Sequence, residues 1–170
     1  MIKKKIILTV VAVLLVALIA FCLIYTRPRT LDSMLDNREI TGVTAAHALS
    51  YKFSLDDAWE SYLLEEEDCD TQICSDLTEI VESCQYRTKL ISLTHPGSYS
   101  DSTIENGGNG DNVTLRFTLS DGSVLTVSYT GSNAAFSFND RDGFIITKPT
   151  DKDVNTALSE YISRAGTLQE

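Results

Sequence analysis

From Ile6 to Thr26 no charged residue interrupts a run dominated by Ile, Leu, Val, Ala and Phe. At 1.5 Å per residue such a run makes a helix of roughly 31 Å, close to the ~30 Å apolar core of a bilayer. A helix that is apolar all round has no face to give to water. The pattern predicts a membrane anchor over 6–26, preceded by a short N-terminus, 1–5. A cleaved leader would also begin with Lys3-Lys4-Lys5, but its apolar core usually runs ~7–15 residues. A small-x-small exit is missing too. Ala20-Phe21-Cys22 is the nearest candidate, and the large Phe21 also spoils a lipid-attachment signal at Cys22.

After Arg27-Pro28-Arg29 breaks the apolar helix, the periodicity changes. Thr30 to Leu35 reads as a short helical turn with Thr30 as its cap, within a juxtamembrane segment 27–39. Ile40 to Phe53 opens with β-branched residues and reads as a strand. Ser54-x-x-Asp57 resembles a capping box. Leu55, Ala58, Trp59, Tyr62 and Leu63 then follow at helical spacing. A second helical face runs Ile73, Leu77, Ile80, Val81, Cys84, the i, i+3/i+4 pattern of a core-facing helix.

The remainder alternates with period two. Tyr86 to Leu93 is an expected strand. Over Asn112 to Leu119, Val113, Leu115, Phe117 and Leu119 point one way, and Thr114, Arg116 and Thr118 the other. Ser120-Asp121-Gly122 supplies a tight turn. Strands then follow over 123–129, 134–138 and 144–148, with turns at 131–133 and 139–143. A last helix is expected after Pro149, capped by Thr150, with Val154, Leu158, Tyr161 and Ile162 on its apolar face. The tail 166–170 reads as frayed. The expectation is an α+β domain over 40–165: an antiparallel sheet of five to six strands with helices on one face and the other face open to water.

Charge sharpens the picture. All 24 acidic residues and nine of the 14 basic ones lie from Leu31 onward, a net −15 for that part. Such a balance excludes nucleic acid as a partner and predicts repulsion from anionic lipid headgroups. Lys3, Lys4 and Lys5 make the N-terminus the more basic flank, which predicts a cytoplasmic N-terminus and an extracytoplasmic domain of a single-pass cell-membrane protein.

Thr30-Leu31-Asp32-x-x-Leu35, Ile40-Thr41-x-Val43, Leu77-x-x-Ile80-Val81-x-x-Cys84, the strands around Ser120-Asp121-Gly122 and the closing helix together resemble small extracytoplasmic domains of Gram-positive bacteria, tethered by a lipid or one helix. The resemblance spans nearly the whole outer part and implies its fold and location. That group has no established activity, so no active site carries over.

Chemistry-bearing residues are sparse. Cys69, Cys74 and Cys84 admit one internal bridge; Cys69–Cys74 could close a small loop, the alternative being three unpaired thiols. His47 and His95 are too remote in sequence from the cysteines for a zinc site. Asp140-x-Asp142-Gly143 resembles part of a calcium loop, but Phe138 and Pro149 stand where an EF-hand needs acids, so it reads as a turn. Asn106-Gly107-Gly108-Asn109-Gly110 has no Lys-Ser/Thr after it and is no phosphate loop. No nucleophile–base pattern appears, and no cofactor is called for. The reading is a binding or sensing module engaging a protein, peptide or cell-wall component. Its candidate surface is the polar sheet face with Thr114, Arg116 and Thr118, and the loop 95–111 with His95 and Tyr99. The alternatives are a structural accessory subunit of a membrane complex and, more weakly, a hydrolase with a non-obvious site.

Overall fold

The structure, a computed structural model, describes residues 2–51, 59–65, 70–90, 92, 110–141, 144–151 and 153–169. Helix α1 spans Ile2–Tyr25. Its stretch Ile6–Tyr25 is long and apolar enough to cross a membrane, with a mean hydropathy of 3.3, and none of its most apolar window is buried against the rest of the chain. Phe21 and Tyr25 stack at its end, ring centroids 5.9 Å apart.

Only Thr26 and Arg27 separate α1 from strand β1 (Pro28–Arg29). A 3-10 turn follows (Asp32–Met34), then strands β2 (Ile40–Tyr51) and β3 (Trp59–Glu65), helix α2 (Thr71–Glu82) and strand β4 (Tyr86–Thr88). Four strands then meander: β5 (Gly110–Leu119), β6 (Val124–Thr130), β7 (Asn133–Phe138) and β8 (Phe144–Pro149). Helix α3 (Val154–Ala165) and strand β9 (Thr167–Gln169) close the chain. Among the described residues the strands form one sheet, in the order β1-β4-β8-β7-β6-β5-β2-β3-β9. Every pairing is antiparallel. The fold is α+β, as the periodicity predicts, with more strands than expected.

The alternating pattern lands where it should. Leu115, Phe117, Leu125, Val127, Tyr129 and Phe136 are buried on one face of the sheet. Leu77 and Val81 of α2 and Leu158 and Ile162 of α3 are fully buried in the same core. Asp70 caps α2 by accepting the Ile73 N–H at 2.8 Å. Gly122 and Gly131 turn the hairpins with φ of 81° and 55°, values that only glycine adopts freely.

Five expectations need correction. Residues 59–65 form a strand and not a helix, and Leu64 reaches the core; the expected cap Ser54 to Asp57 lies outside the described residues. The juxtamembrane stretch belongs to the domain: β1 pairs with β4, and Leu31, Met34 and Leu35 are buried in the core. The tail is not loose, because β9 pairs with β3. Its approach depends on Gly166, where a Cβ would lie 2.7 Å from the Ile162 carbonyl oxygen and 2.9 Å from that of Leu63. Strand β4 ends at Thr88, after which the Ser92 hydroxyl donates to the Ile146 carbonyl and accepts from its N–H. Thr150 donates its hydroxyl to Gln85 rather than capping α3, whose cap position is Asp153.

Two polar clusters fix the frame. The guanidinium groups of Arg38 and Arg141 both lie over the Phe138 ring, at 4.5 Å and 4.1 Å. Arg38 also pairs with Asp140 at 3.1 Å, and Arg141 with Asp36 at 3.0 Å. The turn before β2 is thereby tied to the end of β7. In the core, the Tyr86 hydroxyl donates to the Val81 carbonyl at 2.9 Å and accepts from the Tyr129 hydroxyl at 2.6 Å. Burial holds both phenols above their ordinary pKa.

Removing the central hydroxyl of this chain strands a buried partner, whereas removing the terminal one does not. Tyr86→Phe should therefore cost about 2 kcal/mol and Tyr129→Phe about 1 kcal/mol, read by urea unfolding of the full chain in micelles. Equal costs would show that the two hydroxyls are not coupled.

Candidate functional site

Strand β2 is lined by β5 along most of its length, but β3 covers only part of its other side. The last register pair is Ala45 with Glu65. Among the described residues, Ile40 to Thr44 have no strand partner on that side. The same stretch carries two bulges against β5, between Ile40 and Gly42 and between Val43 and Ala45. The extra residue at each is a threonine. Thr41 donates its hydroxyl to the Thr118 carbonyl and Thr44 to the Arg116 carbonyl, both at 3.2 Å. These bonds hold a ladder that the bulges interrupt, and the bulges bend the strand locally.

Helix α2 runs beside this edge and leaves a groove of about 510 Å³. Its strand side is Ile40 to Val43. Its helix side is a single α2 stripe, Thr71, Cys74, Ser75, Thr78, Glu79 and Glu82, with Asp70 at the near end. The stripe follows from the amphipathic spacing: Ile73, Leu77, Ile80 and Val81 turn to the core, so the i, i+4 residues on the other side face the groove. Among the described residues no cation lines the groove. Helix α2 is held from behind by α3, through the Tyr161 hydroxyl donating to Asp76 at 2.8 Å. Gln72 donates to the other Asp76 oxygen at 2.6 Å. Desolvation and its neighbour Asp76 push the Tyr161 phenol up to about 12.

The groove combines hydroxyl donors and acceptors, a strand edge unpaired among the described residues, and three carboxylates, Asp70, Glu79 and Glu82. Among the described residues no three His, Cys, Asp or Glu side chains converge as metal ligands would. Desolvation, with a smaller contribution from Asp32, raises the Glu82 carboxyl above its ordinary pKa. The arrangement suits hydrogen bonding to an extended backbone and attraction of positive charge; among the described residues it holds no nucleophile–base pair.

The predicted site residues divide. Thr114, Arg116 and Thr118 do share the face of β5 turned away from the helices. Thr114 lies 3.4 Å from the Ser128 hydroxyl, and Arg116 is exposed opposite Thr126. On β2, His47 approaches the Ser61 hydroxyl at 2.7 Å on the same face. That face is not open throughout, since Ala135 and Ile146 are buried. Thr118 also reaches the groove. His95, Tyr99 and Cys69 lie outside the described residues. Cys74 is a half-buried free thiol in the groove wall, and Cys84 is buried. The groove itself escapes sequence reasoning, because it depends on how strand register and packing set α2 beside the start of β2. The polar stripe of α2 was its one local signal.

No protein-family model matches the chain, and comparison with curated proteins and with solved structures returns no match.

A carboxyl with a raised folded pKa adds stability below its unfolded pKa and loses it as pH rises through the folded value. Glu82→Gln should thus melt above the parent chain at pH 7, with the gap closing at pH about 4. Thermal melting across that range checks it; a gap independent of pH would mean that the Glu82 charge is not destabilising.

Proposed function

We propose that the chain is a membrane-tethered binding module of the cell surface, which captures an extended, positively charged polypeptide segment in the groove between α2 and β2. The observation that carries this reading is the β2 edge, without a strand partner among the described residues, facing an acidic helix stripe. A segment laid along Ile40 to Thr44 would gain main-chain hydrogen bonds, and its basic side chains would meet Asp70, Glu79 and Glu82. The short length of the uncovered edge and its two bulges limit indiscriminate strand pairing. Helix α1 serves as a single-pass anchor. The lysines before it favour a cytoplasmic N-terminus, with the domain in the extracytoplasmic space. The resemblance to tethered domains of Gram-positive bacteria agrees with that placement.

The experiment is a selection of displayed peptides against the full chain in micelles, followed by amide exchange. Peptides rich in Lys or Arg should be enriched and should slow exchange at Ile40 to Thr44. Ser75→Arg puts a cation into the exposed helix stripe and should weaken capture at least about tenfold while leaving the melting temperature unchanged. Enrichment of acidic peptides, or protection elsewhere with the Ser75 variant binding normally, would overturn the groove as the site. Protease protection of the domain in sealed inside-out vesicles tests the topology; digestion there would reverse the orientation.

A further inference from the structure

The net charge of −15 hides an uneven distribution. Arg38 and Arg141 are paired with carboxylates, and Arg164 donates to the Glu160 carbonyl. By contrast, the side chains of Arg27, Arg87 and Lys148 are exposed and make no ion pair or hydrogen bond among the described residues. All three sit at one edge of the sheet, and it is the edge where α1 joins. Arg27 precedes β1. Pro28 pairs with Arg87, and Arg87 pairs with Lys148. Arg87 and Lys148 are thus direct cross-strand neighbours on one face, an arrangement of like charges that destabilises a sheet unless an anion lies against it. The Asp151 carboxylate, three residues on, accepts the Asp153 N–H instead of pairing with Lys148.

Apolar side chains complete the edge. Leu90, just past β4, is 45 % exposed, and Phe144, which opens β8, is 38 % exposed. Apart from Leu168, they are the large apolar side chains left exposed outside α1 among the described residues. Two linking residues, Thr26 and Arg27, leave the domain little freedom to leave the surface that α1 enters. The stacked Phe21 and Tyr25 mark the depth of that surface, as aromatic residues do at headgroup level.

We infer that the β1–β4–β8 edge docks on the bilayer, with Arg27, Arg87 and Lys148 holding the phosphates of anionic phospholipids and Leu90 and Phe144 entering the headgroup layer. The inference rests on α1 being an anchor. It reverses the repulsion from anionic lipid that net charge alone predicts. Each cation near an anionic surface contributes a comparable increment, so reversing both Arg87 and Lys148 weakens docking by roughly thirtyfold or more.

The test uses the full chain in nanodiscs of phosphatidylcholine alone, or of equal parts phosphatidylcholine and phosphatidylglycerol, each doped with a gadolinium-headgroup lipid. Amide relaxation is read residue by residue. Docking requires strong broadening at residues 87–90 and 148 in the anionic discs, weaker broadening in the neutral discs, and none at the 120–123 turn. Arg87→Glu with Lys148→Glu should abolish the difference while leaving core amides unshifted. Equal broadening in both lipids, or persistence in the double variant, would overturn the docking. So would a shift at Arg87 and Lys148 produced in neutral discs by inorganic phosphate but not by anionic lipid. Broadened α1 ends with an unaffected edge would sink the docking alone; unbroadened α1 ends would sink the anchor reading and the docking with it.

Discussion

The chain leaves α1 at Tyr25 and is already bonded into the sheet at Pro28. That short junction constrains everything downstream. Antiparallel pairing of β1 with β4 fixes where the helix meets the domain, and the buried Leu31, Met34 and Leu35 then carry the chain under the core before β2 begins. A flexible linker would let the domain tumble about its tether. Here the segment after α1 contributes three core side chains, so freeing it would expose part of the core.

The second constraint is that, among the described residues, β3 pairs with β2 only from Ala45 onward. A sheet of this kind usually covers its strands on both sides, and an uncovered stretch invites unwanted pairing. The bulges at Thr41 and Thr44 bend that stretch, and the threonine hydroxyls keep it attached to β5. Helix α2 stands off far enough to leave a groove instead of sealing the edge. Its position is set from the core side by Leu77 and Val81, by the carbonyl that accepts from Tyr86, and by the Tyr161–Asp76 bond. The groove is therefore a by-product of elements held in place for other reasons, and its walls are set by the core.

Much of this was legible in the order of residues. Alternation over Val113 to Leu119 and Leu125 to Tyr129 located the central strands, because a half-buried strand must alternate. The spacing of Ile73, Leu77 and Val81 located α2. The run Trp59 to Glu65 misled because Trp59, Tyr62 and Leu63 fit helical spacing as well as strand pairing, and a short apolar run does not separate the two. Strands β1 and β9 are too short to carry any period. Of the candidate surface, Thr114, Arg116 and Thr118 were correctly assigned to one face. The groove and the Arg87–Lys148 pair were invisible, since each arises from residues far apart in the chain that only strand register brings side by side. Total charge is silent on this pair for the same reason: it sums over the whole surface and does not show which cations strand register sets side by side.

The strand order gives the molecule a built-in height. Strands β1 and β9 are the two outermost of the nine, the first and last of the chain. With neighbouring strands ~4.8 Å apart, the sheet measures about 38 Å from one to the other along the hydrogen-bonding direction. Standing on its β1 edge, the sheet would act as a pedestal, its strands running level with the bilayer. Along that direction the start of β2 is six strand spacings, about 29 Å, from β1, so the groove lies toward the β9 end of the sheet. The separation between the groove and the α1 junction is thus set by the number of strands between them, and not by the length of a linker.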